Sequence, residues 1–252
     1  MNHWTARLRA SGIHLAISLC IAALAAALVF GLWYPYPYRE ISGGRSLFML
    51  VVGVDVIMGP LITLIIFNRA KPRREMVTDF TVVGLLQIAA LTYGLWAVFV
   101  ARPVHLVFEY SRMTVVHAVD IDDRMLARAP VGLRTLPVTG PTPIALRPFR
   151  DSSEQFDATM AALEGAPLAA RSDLWQPYAN SKTEILRVAR PVSQLLERFE
   201  SQRGVIDSAI IATGKTPEKL VSLPLVGRGN AWTVLLDADS AQPVGYVPVD
   251  SF

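Results

Sequence analysis

Residues 46–67 constrain this chain more than any other stretch. They run Ser46-Leu47-Phe48-Met49-Leu50-Val51-Val52-Gly53-Val54-Asp55-Val56-Ile57-Met58-Gly59-Pro60 and stay apolar through Phe67. The run then breaks into a basic knot of Arg69, Lys71, Arg73 and Arg74 around Pro72. About 20 apolar residues, at ~1.5 Å each, cross the hydrocarbon of a bilayer, so the stretch predicts a membrane-spanning helix. One acid, Asp55, lies near its middle. A carboxylate there costs ~2.5–3.5 kcal/mol on insertion scales, so it should face protein or water rather than lipid.

Two further runs flank this one. Residues 13–33 carry no formal charge, with only His14 able to acquire one, and end on the aromatic group Trp33, Tyr34, Tyr36 and Tyr38. Such rings suit the membrane interface, and Pro35 and Pro37 stop the helix. The competing reading is a cleaved signal peptide, with Ala22–Ala27 offering small residues. The apolar run outlasts a ~7–15-residue signal core, which favours a retained span. Gly43-Gly44 reads as a flexible link into the second span. The third span, residues 80–101, follows Asp79, which reads as a helix cap, and ends at Arg102-Pro103.

Basic residues set the orientation. Arg7 and Arg9 precede the first span; Arg69, Lys71, Arg73 and Arg74 lie between the second and third. The other connection holds only Arg39 and Arg45, partly offset by Glu40. The N-terminus and the 68–79 loop are therefore expected in the cytoplasm. The rest of the chain after residue 102 is expected outside, which in a Gram-negative cell is the periplasm. A hydrophobic share of 52% is high for one soluble domain, and the excess lies in the first hundred residues. The expected organisation is a three-helix inner-membrane module at 1–102 and an α+β periplasmic domain at 103–252. The single cysteine, Cys20, allows no internal disulfide. A formal charge of +3 with no long basic run argues against nucleic-acid binding.

Beyond residue 103 the pattern becomes that of a small mixed domain. Val104–Phe108 and Met113–Ile121 are strand-like, as are Ile144–Leu146, Trp232–Asp237 and Val244–Val249, the last two forming a hairpin. Ser152 with Gln155 reads as a cap for a helix to Glu164. Ser181 with Glu184 reads as a capping box. The helix that follows is bent or split at Pro191, and Val205–Thr213 forms another stopped by Gly214.

Several segments resemble the type IV pilin accessory protein family, TfpX/TfpZ. They are Ile41-Ser42-Gly43-Gly44, Val54-Asp55-Val56-Ile57-Met58-Gly59-Pro60-Leu61-Ile62-Thr63-Leu64, Asp79, Gln87, Ala90-Leu91, Tyr93-Gly94 and Ala101-Arg102-Pro103-Val104. Leu235-Leu236-Asp237 and Gly245-Tyr246-Val247-Pro248 fit as well, while Asp250-Ser251-Phe252 departs from the pattern. The likeness is dense over residues 41–104 and diffuse beyond. It implies an inner-membrane protein that assists a particular pilin before or during pilus assembly, alongside other inner-membrane assembly proteins, without catalysis.

Asp55, Gly59, Thr63 and Ile66 share one stripe of the second span at three- and four-residue steps. Gly59 leaves room for a close neighbour, and Pro60 frees the Val56 carbonyl. Gly84, Gln87, Leu91 and Gly94 form a matching stripe on the third span. Counting ~1.5 Å per residue from the cytoplasmic ends puts Gln87 level with Gly59, and Asp55 nearer Tyr93, whose hydroxyl could donate to it although Tyr93 points away from the Gln87 stripe on an ideal helix. These residues either glue the helices together or meet the transmembrane helix of a pilin. A proton or ion path needs more polar groups than the spans offer. An intramembrane aspartyl protease needs two carboxylates sharing a site, and only Asp55 lies inside a span. His105 and His117 read as ordinary sheet residues rather than metal ligands, and Asp120, Asp122 and Asp123 as a solvated turn. No catalytic residue, cofactor or metal site is expected. An envelope enzyme acting on pilin and a membrane sensor remain as alternatives.

Overall fold

The structure, a computed structural model, describes residues 3–67 and 71–252. Arg69 lies outside the described residues. Two compact units form: Met1–Arg39 with Gly44–Ala101, and Glu40–Gly43 with Arg102–Phe252.

The first unit holds three helices long and apolar enough to cross a membrane. Helix α1 spans His3–Leu28 and continues as a π-helical turn over Val29–Trp33. It starts ten residues before the apolar run, since Arg7 and Arg9 are good helix formers at its polar end. Helix α2 spans Gly44–Ile66 and runs unbroken through Pro60. Helix α3 spans Arg73–Val100, so Asp79 lies inside it and is no cap; it pairs with Lys71 at 2.6 Å. Helix α2 packs against both α1 and α3. Near Trp33 the module closes over Val29, Tyr34, Phe48 and Val98, with the Tyr34 hydroxyl donating to the Val98 carbonyl at 3.1 Å. Gly94 permits close packing of α3 on α2: a Cβ there would lie 2.4 Å from Val51 Cγ1. At the opposite end Arg7 donates to the Phe67 carbonyl at 2.8 Å, so the basic tail and the end of α2 share one side.

The second unit is built on one mixed sheet ordered β4-β3-β1-β2-β6-β7-β8, with β5 also on β6. Its strands are β1 (Pro103–Glu109), β2 (Arg112–His117), β3 (Thr142–Leu146), β4 (Trp175–Pro177), β5 (Arg190–Pro191), β6 (Leu220–Val226), β7 (Ala231–Asp237) and β8 (Pro243–Val247). Strands β1 and β2 pair antiparallel, whereas β1–β3 and β2–β6 pair parallel. One core gathers Val104, Val107, Val116, Ile144 and Trp175. A second gathers Val192, Leu195, Ile206, Ile210, Leu220, Leu235 and Val247. Each such side chain contributes about 1.5–3 kcal/mol on burial.

Local signals fared unevenly. Helix α4 (Ser152–Leu163) is capped by Asp151, whose carboxylate accepts from Glu154 N at 2.8 Å, rather than by Ser152. The capping box at Ser181 does not form: Ser181 Oγ accepts from Gln176, and Glu184 pairs with Arg187. The helical stretch after it does split at Pro191, into α5 (Lys182–Val188) and α6 (Val192–Arg198). Helix α7 (Arg203–Thr213) ends on Gly214 at φ +68°. Strand β2 stops at His117, short of Ile121, because a tight turn over Ala118–Asp120 follows. The β7–β8 hairpin is present. Asp237 anchors its loop, with Oδ1 accepting from the Asp239 and Ser240 amides. Hydrogen bonds from Lys215, then Ser240, hold its carboxyl well below the usual carboxylate range.

Residues 41–43 are no free link. Ile41 is buried in the second unit, and its carbonyl accepts from Arg228 N at 3.1 Å. Gly227 faces it so closely that a Cβ would lie 2.6 Å from the Ile41 oxygen. Backbone cannot give way as a side-chain tip can, so Gly227→Ala is expected to cost about 2 kcal/mol. Hydrogen exchange at the Arg228 amide should accelerate as the segment lifts off; unchanged protection would refute the close fit.

Candidate functional site

The polar groups of the membrane module converge on one place. Helices α1 and α3 barely meet below the Val29–Trp33 turn, and α2 lies behind both. The result is a groove of about 490 Å³ lined by Ile13, Ile17, Ile21, Phe80, Gly84 and Ile88, with His14, Asp55 and Gln87 along its depth. Its walls are hydrocarbon: Ile17 is 55% exposed and Ile88 65%.

The residues at its floor form a directed chain. Gln87 Nε2 donates to Asp55 Oδ1 at 3.4 Å, and Gln87 Oε1 faces His14 Nε2 at 2.9 Å. A carbonyl oxygen only accepts, so His14 Nε2 carries the proton. In the neutral ring the other nitrogen accepts, and the Thr63 hydroxyl donates to His14 Nδ1 at 2.5 Å. The dipoles therefore line up from Thr63 through His14 and Gln87 to the Asp55 carboxyl, and each bond strengthens the next. Gly59 makes this possible. A Cβ there would fall 2.0 Å from Gln87 Nε2 and 3.0 Å from His14 Nε2. Just below, Ser11 donates to the Pro60 carbonyl at 2.8 Å.

A second concavity, of about 560 Å³ in the C-terminal domain, is lined by Arg190, Arg198, Ser222 and Phe252. Its Arg198 guanidinium is spent on the carbonyls of Ser251 and Phe252. Among the described residues no group of His, Cys, Asp and Glu side chains is placed to hold a metal ion.

Comparison with known proteins identifies the lineage. A family model described as fimbrial assembly protein FimB matches residues 2–43. A Dichelobacter nodosus fimbrial assembly protein of serogroup I is 35% identical over 229 residues, covering 90% of this chain and 89% of that one. The serogroup E1 protein of the same organism is 33% identical over the same shares. The chain belongs to the fimbrial assembly protein family. A shorter family protein, of serogroups C1 and C2, is 43% identical over 111 residues, covering 44% of this chain and 85% of its own. No solved structure matches the chain. Membership bears out the resemblance drawn from residues 41–104, and the family model adds the first span, which that resemblance did not reach.

Within this family member the structure brings together Asp55, Gly59, Thr63 and Gln87, with Pro60 one residue away. Gln87 lies over Gly59, the level that the rise per residue gives, and its amide spans the remaining distance to Asp55. Gly94 sits on the α2–α3 contact outside the groove. Tyr93 does not join the site: it is 69% exposed and lies tilted beside Trp96, with ring centroids 5.8 Å apart. The Val56 carbonyl was the expected gap at Pro60, yet the Ser11 hydroxyl meets the Pro60 carbonyl instead. His14 is the central residue that the sequence reading passed over. Its signal was available: Ser11, His14 and Ser18 recur at three and four residues along an otherwise apolar helix.

Proposed function

We propose that the protein is an inner-membrane accessory protein that binds a type IV pilin and supports its stability or its assembly into pili, without chemical change to the subunit. The observation that carries this reading is the groove: an apolar cleft between two helices with a carboxyl group at its floor. An apolar wall suits the transmembrane segment of a subunit waiting in the bilayer. The family's printed name, fimbrial assembly protein, supports the pilus as the process served. The basic residues support the orientation. Arg7, Lys71, Arg73 and Arg74 belong to one end of the bundle, where Arg7 meets Phe67 and Lys71 meets Asp79. That end is the cytoplasmic one on the positive-inside rule, and the C-terminal domain is periplasmic.

Deleting the protein is expected to lower surface piliation by tenfold or more while the intact mass of residual pilin stays unchanged. Pilin found chemically altered only in cells that carry the protein would replace this reading with an envelope enzyme. Protease added to spheroplasts should digest the C-terminal domain; a protected domain would reverse the orientation.

A further inference from the structure

We infer that the groove between α1 and α3 seats one transmembrane helix of a partner, and that Asp55 selects it by a hydrogen-bond donor the partner presents near mid-bilayer. The inference rests on the pilin reading for the partner's identity and adds what the site recognises. The directed chain ends on Asp55 as an acceptor, with Oδ1 taken by a long bond from Gln87. The other oxygen has no hydrogen bond among the described residues, and no ion pair to Asp55 occurs among them. Polar groups at membrane depth are costly without a partner, and an incoming donor removes that cost. Lipid chains would fill the groove but offer no donor. A second copy of this chain offers only neutral donors such as the exposed Tyr93 hydroxyl, because its spans bring no lysine or arginine at residues 13–33, 46–67 or 80–101, and crosslinks between copies are scored in the test.

Shape agrees with charge. Asp55 lies 11 residues above Ile66 in α2, or ~17 Å along the axis, so the donor belongs near the middle of the partner helix. On the wall of α3, Gly84 opens on empty space, with nothing within 4 Å of where a Cβ would be. A helix backbone can approach closely there. The same vacancy supplies a test, because a side chain at 84 starts in open space and extends into the groove.

The experiment uses the full chain in cells making the native pilin, in a Cys20→Ser background, since Cys20 is exposed on α1. Single cysteines replace Ile17 and Ile88 on the groove walls, and Ile65, 73% exposed on α2 and absent from the groove, as a control. Crosslinks to cysteines scanned through the pilin transmembrane segment are expected from positions 17 and 88 and not from 65. Gly84→Leu should cut them at least tenfold at unchanged protein level. Asp55→Ala should cut them about tenfold, and Asp55→Asn, which keeps an acceptor oxygen, by less. Equal crosslinking from all three positions, an inert Gly84→Leu, or crosslinks between two copies of this chain would each overturn the inference. Crosslinks to pilin confined to the C-terminal domain would overturn it too, while leaving the accessory role standing. Groove crosslinks to the transmembrane segment of a different protein would uphold a helix site and overturn pilin as its occupant.

Discussion

Gly94→Val is expected to cost about 3 kcal/mol of membrane-module stability, whereas Gly59→Ala should leave stability nearly intact and impair function. Both glycines sit where a helix approaches closely, and the difference lies in what a new side chain would meet. At position 94 the added Cβ would stand 2.4 Å from Val51 Cγ1, 3.0 Å from Cγ2 and 3.3 Å from Cβ. A valine in a helix has one favoured rotamer and no free end to swing away, so α2 and α3 must separate. Overpacking of this kind costs ~1–3 kcal/mol, and valine adds two methyls beyond the first clash. At position 59 the nearest atom is Gln87 Nε2, the far end of a flexible side chain. Gln87 can turn aside, which spares the helix contact and breaks the chain between His14 and Asp55. An interhelical hydrogen bond in a bilayer contributes only ~0.6–1.7 kcal/mol. SDS-driven unfolding in mixed micelles should therefore show a large shift for Gly94→Val and a small one for Gly59→Ala, while Gly59→Ala alone loses pili with the protein present. A large unfolding shift for Gly59→Ala would make the polar chain a structural glue and nothing more.

The site was half legible in the sequence, for reasons that differ residue by residue. Asp55, Gly59 and Thr63 could be placed together because a helix fixes which residues share a face. Gln87 could be levelled against Gly59 because rise per residue is constant. What spacing cannot give is side-chain reach, so the link from Gln87 to Asp55 appears only with the side chains placed. Tyr93 is level with Asp55 by depth, and its ring turns outward beside Trp96, the direction that its place off the Gln87 stripe gives. His14 was treated as a possible charge rather than a hydrogen-bond relay. A neutral imidazole, donor on one side and acceptor on the other, suits a low-dielectric relay better than any other single side chain.

The C-terminal domain shows the same division between local and distant information. Strand β6 has no place in the sequence reading, and Pro224 in its middle ordinarily argues against an interior strand. The sheet tolerates it through a gap. On the side away from β7, residues 221–222 pair with β5 and 225–226 with β2, so Pro224 faces neither. No reading of residues 220–226 alone could show that vacancy. The Ser181 box failed for a related reason: Gln176, arriving from β4, takes the hydroxyl that the helix would have used. The Gly43-Gly44 pair reads as a flexible link, yet Ile41 just before it sits against Gly227, 186 residues further along the chain.

The C-terminal domain is expected to lose about 3 kcal/mol of stability between pH 6.5 and pH 4, through His105. This side chain is buried in β1, with Nδ1 bonded to Thr142 Oγ1 at 2.9 Å and its ring edge-on to Trp175 at 4.7 Å. Its Nε2 is buried and has no hydrogen-bond partner among the described residues. Burial lowers the pKa from the ordinary 6.5 to about 4, with a hydrogen bond to the Thr142 backbone acting in the opposite sense. A lowered value on a base means the unfolded chain takes up a proton that the folded domain refuses. Stability is then fully present above pH 6.5 and drains away as pH falls toward 4. The drop from 6.5 to about 4, at ~1.36 kcal/mol per pH unit, gives the ~3 kcal/mol, of which about 2 should be gone by pH 5. Carboxylates held low by their partners, such as Asp173 beside Arg171, act in a separate window below their ordinary values. Hydrogen-exchange protection of the β1 and β3 amides, followed in the full chain in detergent, should fall about thirtyfold from pH 7 to pH 5 after correction for intrinsic exchange. His105→Leu removes the titrating nitrogen and should flatten that dependence. A wild-type domain equally protected at both values, or a leucine variant as sensitive as the parent, would locate the proton uptake elsewhere.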